Sequence, residues 1–122
     1  ENVELILESV ERFLNDKVDA AAIDRAHEIP AEVLAEAKGL GLFGLQIPTD
    51  YDGIGLSMTA YSRLMQSVAA HDGSLAVTLG AHQSIGLKGI LLYGTDEQKQ
   101  RFLPSLAHRA CRPKPCIAVA PQ

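Results

Sequence analysis

The six residues Gly39-Leu-Gly41-Leu-Phe-Gly44 spell G-x-G-x-x-G, the pattern that lets backbone approach the pyrophosphate of a dinucleotide. That chemistry needs a strand entering the first glycine and a helix leaving the last, because the helix N-terminus supplies the N–H groups that hold the anion. His82 is a second candidate, since an imidazole can act as general base when an acid orients it and a Ser or Cys stands beside it. The sequence shows no such partner, and a histidine on an apolar helix face reads as a satisfied core residue. Glu8, Glu11, Glu32 and Glu36 could pair as general acid and base, but their spacing puts them on solvated helix faces. His108, Cys111 and Cys116 offer three soft ligands; a structural zinc site takes four, and the intervening prolines resist folding around a metal. No metal site is expected.

The elements around the glycines decide the first case. Val3, Ile6, Val10, Phe13 and Leu14 step by three and four with Glu4, Glu8, Glu11 and Arg12 mostly opposite, the pattern of an amphipathic helix. VDAAAIDRAHEIP either extends this helix or turns, and Pro30 suits the first position of a second helix over PAEVLAEAK. A helix therefore enters Gly39, and Gly39 or Gly41 stands where a left-handed cap ends one. Gly44 leads into GLQIP, in which Ile47 is pushed toward extended geometry by Pro48. The fingerprint has the wrong flanks for a phosphate cradle. TDYDGIGL, with its Asp52-Gly53 turn signal, reads as a connecting loop.

Ser57 can cap a third helix carrying Met58, Tyr61, Leu64, Met65 and Val68, its methionines read as core filler. Asp72 or Ser74 can cap the next helix. SLAVTLGAHQSIGLKGILLY, residues 74–93, is apolar nearly all round, which predicts one or two helices buried on most sides. Gly80, Ala81, Gly86 and Gly89 weaken such a helix, a cost that signals close approach by backbone or by a ligand. Thr95-Asp-Glu-Gln98 is a capping box; with KQRFL and Pro104 after it, it marks a last short helix.

The 122 residues suffice for one domain, and 47% apolar content with 5% aromatics and abundant Ala and Leu favours helices over sheets. An all-α fold is expected. The formal charge of −4 argues against nucleic acid or an anionic membrane as main partner. No apolar run reaches the ~18 residues of a membrane span, and ENVELILESVE does not resemble a signal peptide, so a soluble intracellular protein is expected. Position 1 is Glu, which fits a processed chain or a piece of a longer one.

Three segments carry a resemblance to a known family. GLGLFGLQIPTDYDGIGLS resembles the G-L-x-G-x-x-I-P-x-x-x-G-G-x-G segment of acyl-CoA dehydrogenases, with Asp52 where the family commonly has the first of two adjacent glycines. GTDEQKQRFLPSLA is similar to their G-T-x-x-Q-K-x-x-x-L-P-x-L, and GAHQSIGLKGILLYGT looks most like the very-long-chain branch. The resemblance runs in order over residues 1–107 and implies the N-terminal helical bundle of that family, of five to six helices.

It further implies that the parent enzyme desaturates fatty acyl-CoA between Cα and Cβ in β-oxidation. A glutamate takes the α-proton, FAD accepts the β-hydride, and an electron-transfer flavoprotein reoxidises the flavin. The catalytic glutamate and most of the flavin pocket belong to a central β-barrel and a C-terminal bundle. No catalytic or cofactor-binding residue is therefore expected in this chain, and FAD is not expected to bind it alone. It would contribute a wall of the acyl tunnel, and Thr78, Ala81, His82 and Ile85 align with that wall; plain helix packing is the competing reading of the same residues. The complete enzyme would be a homo-oligomer, in the mitochondrial matrix or at the inner membrane if eukaryotic and cytoplasmic if bacterial.

After Ala107 the chain becomes HRACRPKPCIAVAPQ, basic and rich in proline, without the Gly-Glu turn, apolar strand and Thr-Glu-Pro motif that the resemblance would bring next. Residues 108–122 are expected to be a disordered, atypical tail left by a shifted frame, mis-splicing or an assembly error. The alternative function is a non-enzymatic helical module that binds an acyl chain or a protein.

Overall fold

The computed structural model describes residues 2–108; apart from His108, the tail expected to be disordered lies outside the described residues. The chain is all-α. Helix α1, Asn2–Lys17, buries Leu7, Val10, Phe13 and Leu14 along one stripe, with Glu4 in its first turn and Lys17 in its last, as the helix dipole favours. The segment after Lys17 turns rather than extends it. Asp19 caps α2, Ala20–Ala26, by accepting from the Ala22 N–H at 3.0 Å, and His27 closes that helix in the left-handed region at φ 56°.

Pro30 stands one position earlier than expected, directly before α3, Ala31–Gly39. The helix ends in a Schellman motif: the N–H of Leu42 bonds the Ala37 carbonyl at 3.1 Å and that of Gly41 bonds Lys38 at 2.9 Å. Gly41, at φ 77°, is the left-handed residue, which decides between the two glycines that sequence leaves open.

From Leu42 to Ile47 every residue is buried, and the loop folds back on itself through the bonds Ile54 to Gly44, Gly55 to Ile47 and Leu56 to Leu45. A single 3-10 turn, Thr49–Tyr51, ends at Asp52, itself left-handed at φ 64°. Ser57 caps α4, Met58–His71, through the Ala60 N–H at 3.2 Å. Of its methionines, Met65 packs against the core but Met58 is 55% exposed, contrary to its reading as core filler.

Asp72, not Ser74, caps the next helix, its carboxylate 2.7 Å from the Leu75 N–H. Helix α5, Gly73–Ala81, continues through a π turn, His82–Gly86, into α6, Lys88–Tyr93, and the three form one 21-residue rod. Counting that rod once gives six helices among the described residues. The rod is long and apolar enough to cross a membrane by length and composition, against the expectation that no apolar run reaches that length. It also differs from the expectation of burial on most sides. Leu75, Leu79, His82, Gln83 and Leu87 face inward, while Val77, Ile85, Leu92 and Tyr93 are 70%, 73%, 60% and 87% exposed.

The Thr95–Gln98 capping box forms reciprocally, at 2.9 and 3.2 Å, and opens α7, Asp96–His108. This helix, expected to be short, runs 13 residues and passes through Pro104. Leu103 and Ala107, on either side of the proline, are buried with Ile47 and Leu87 in a small second core, and that packing holds the last turn in place. The larger core joins α1 to α5 around Phe13, Phe43, Leu64 and Leu79.

Candidate functional site

The four residues singled out from sequence lie on the rod, but its π turn divides them. Thr78 and Ala81 are half-buried, His82 is 6% exposed, and Ile85 lies open at 73%. The Thr78 hydroxyl donates to the Ser74 carbonyl at 2.9 Å, so its polar atom is occupied by the helix. Gly80 and Gly89 lie on the same rod. Among the described residues, a Cβ built on Gly89 would meet nothing within 4 Å, and one on Gly80 would meet only the Met65 methyl at 3.7 Å. Protein backbone therefore does not explain these two glycines.

His82 belongs to the inner side. Its Nε2 lies 3.0 Å from the Leu106 carbonyl, and its ring stands edge-on to Phe43 with centroids 5.2 Å apart. Burial pulls its pKa below the ordinary histidine value, against the opposing pull of the Leu106 and Phe43 backbone. The neutral ring is thereby favoured and its Nε2 is engaged. Ser84, two residues on, donates its hydroxyl to the Gly80 carbonyl at 2.6 Å rather than to the imidazole.

Gln83 was missed from sequence. It is wholly buried, with Nε2 donating to the Leu42 carbonyl at 2.8 Å and Oε1 accepting from the Gln46 N–H at 3.4 Å. The available signal was the polar pair HQ inside an otherwise apolar run. Also missed was a shallow groove between α6 and α7, lined by Gly89, Ile90, Tyr93, Gly94, Gln98 and Phe102, of about 190 Å³.

Gly44 serves packing. A Cβ there would come within 3.1 Å of the Ala107 methyl, so the bare glycine lets α7 settle against the loop. Glu8, Glu11, Glu32 and Glu36 are all exposed, on α1 and α3. His108 lies 3.7 Å from the Asp52 carboxylate, while Cys111 and Cys116 lie outside the described residues. Among the described residues no three His, Cys, Asp or Glu side chains are grouped to hold a metal.

Residues 1–110 match the family model for the acyl-CoA dehydrogenase N-terminal domain. The chain belongs to the acyl-CoA dehydrogenase family. The mitochondrial very long-chain specific acyl-CoA dehydrogenase of Rattus norvegicus is 50% identical over 98 residues, 80% of this chain and 15% of that protein. A probable acyl-CoA dehydrogenase of Mycobacterium tuberculosis, FadE10, is 45% identical over 105 residues, 85% of this chain and 16% of its own. Among solved structures, an acyl-CoA dehydrogenase from Bacillus anthracis complexed with FAD superposes with a TM-score of 0.76 at 33% identity, covering 88% of this chain and 19% of that one. The chain thus spans under a fifth of the length of these acyl-CoA dehydrogenases.

The groove between α6 and α7 does not fit FAD. At about 190 Å³ it is smaller than the ~300 to 1,000 Å³ typical of ligand pockets, and its only polar side chain besides the Tyr93 phenol is Gln98. Every buried side-chain nitrogen and oxygen among the described residues already has a hydrogen-bond partner.

Proposed function

We propose that this chain is the N-terminal helical domain of a flavin-dependent acyl-CoA dehydrogenase that desaturates fatty acyl-CoA between Cα and Cβ, and that the outer face of its rod forms one wall of the acyl-chain tunnel. The observation that carries this reading is the division of the rod. Its inner side is locked into the core by Leu79, His82, Gln83 and Leu87, while Ile85 lies open and Ala81 is half-buried. A wall for a fatty tail needs an apolar surface on a rigid support, so that remote binding places the reacting carbon.

His82, bonded to the Leu106 backbone, anchors the rod one residue after Ala81, and a side chain at Gly89 would meet nothing within 4 Å among the described residues. FAD, and the glutamate that takes the α-proton, are assigned to the other domains of the enzyme, as is the contact with an electron-transfer flavoprotein. In this scheme the chain binds, orients and excludes water; it moves no proton.

The test is a domain exchange. Residues 1–107 of this chain replace the matching segment of the rat relative, and the purified hybrid is assayed for bound flavin and for palmitoyl-CoA-dependent reduction of an artificial acceptor. The hybrid is expected to retain both. A hybrid that carries flavin at full stoichiometry yet desaturates no acyl-CoA of any length overturns the proposal.

A further inference from the structure

Two consecutive side chains of the π turn, His82 and Gln83, lie in the interior, and each bonds a different distant element. His82 reaches α7 through Leu106, and Gln83 reaches the glycine loop through Leu42 and Gln46. These partners are 24, 41 and 37 residues away in sequence, so the turn is tied to two distant elements at one point. The tie goes further. Gln46, itself 9% exposed, donates its Nε2 to the Met58 sulfur at 3.3 Å, linking the loop to the start of α4.

We infer that Gln83 is a positioning residue for acyl-chain selection: its carboxamide fixes the π turn against the Leu42–Gln46 loop and so sets where Ala81 and Ile85 meet the tail. The inference rests on the tunnel-wall reading. The geometry is specific to an amide of this length. Nε2 must donate to a carbonyl while Oε1 accepts from an N–H four residues further along the same loop, and no water-facing atom is left to substitute. π turns inside α-helices recur at functional sites because the inserted residue re-aims the side chains around it. Here the pair His82 and Gln83 faces inward, next in the chain to Ala81, a residue assigned to the wall.

The test uses the hybrid holoenzyme with Gln83→Met, which keeps the length of the side chain and removes both bonds. Misplacing a positioning group by a fraction of an ångström is expected to lower the ratio of kcat/KM for palmitoyl-CoA over butyryl-CoA about tenfold. The loss should be carried mostly by KM. Should Gln83→Met lose its flavin, Gln83→Glu, which keeps an acceptor for the Gln46 N–H, is read by the same ratio, and a fall again supports the role.

In the 122-residue chain itself, Gln83→Met is expected to speed hydrogen exchange at the Gln46 amide. An unchanged ratio, or an equal loss at both chain lengths, overturns the inference. Ala81→Phe in the same hybrid separates the two levels. If it shifts the ratio and the Gln83 variants do not, the clamp fails and the wall stands; if neither shifts it, the wall reading fails and takes the clamp with it.

Discussion

His82 shows how one buried ring writes itself into the pH dependence of the fold. Burial disfavours the imidazolium, so the folded chain resists a proton that the unfolded chain accepts near the ordinary value of 6.5. The contribution is therefore fully present above about pH 6.5 and declines as pH falls through that value toward the depressed folded pKa. Against His82→Gln, whose amide can still donate to Leu106 but does not titrate, the parent chain is expected to lose part of its melting-temperature advantage between about pH 7.5 and 5.5. A difference that stays constant across that range would show that the ring is not protonated on unfolding. At this scale the sequence was partly legible. An apolar-face histidine announced a core residue, whereas Gln83 beside it gave no periodic signal, because the partners that satisfy its amide, Leu42 and Gln46, lie far away in sequence.

Caps are the most legible features at the scale of elements, since they depend on two or three adjacent residues. Ser57, Asp72 and the Thr95–Gln98 box all make the bonds their spacing implies. The Asp72 cap is 7% exposed and holds the start of the rod, so Asp72→Ala is expected to cost about 1 to 2 kcal/mol in urea unfolding. A loss below ~0.5 kcal/mol, the range of an indifferent surface change, would mean that packing alone starts the rod. Pro104 was less legible for the opposite reason. Its local effect is to remove one helical hydrogen bond, but Leu103 and Ala107 are buried against Ile47 and Leu87, and this non-local contact decides. The glycine fingerprint divides in the same way: Gly41 is a cap readable from neighbours, while Gly44 is a seat for Ala107, far along the chain.

For the molecule as a whole, the all-α fold and the helix order were legible because apolar periodicity, caps and breakers agree along most of the chain. Which side of the rod would be covered was not. Residues 74–93 are apolar on nearly every face, so periodicity cannot choose, and only the placement of α1, α4 and the glycine loop leaves Val77, Ile85, Leu92 and Tyr93 outside. That uncovered face is the surface to which the tunnel-wall proposal gives a use. The most direct measurement is the chain-length profile of Ala81→Phe in the hybrid enzyme, from butyryl- to palmitoyl-CoA, with thermal stability recorded alongside. An overpacked contact typically costs about 1 to 3 kcal/mol, so kcat/KM for the long substrate should fall roughly 10- to 100-fold relative to the short one, because only a long tail meets the new ring. A uniform loss at every chain length, or no loss with the fold intact, would contradict a tunnel wall at Ala81.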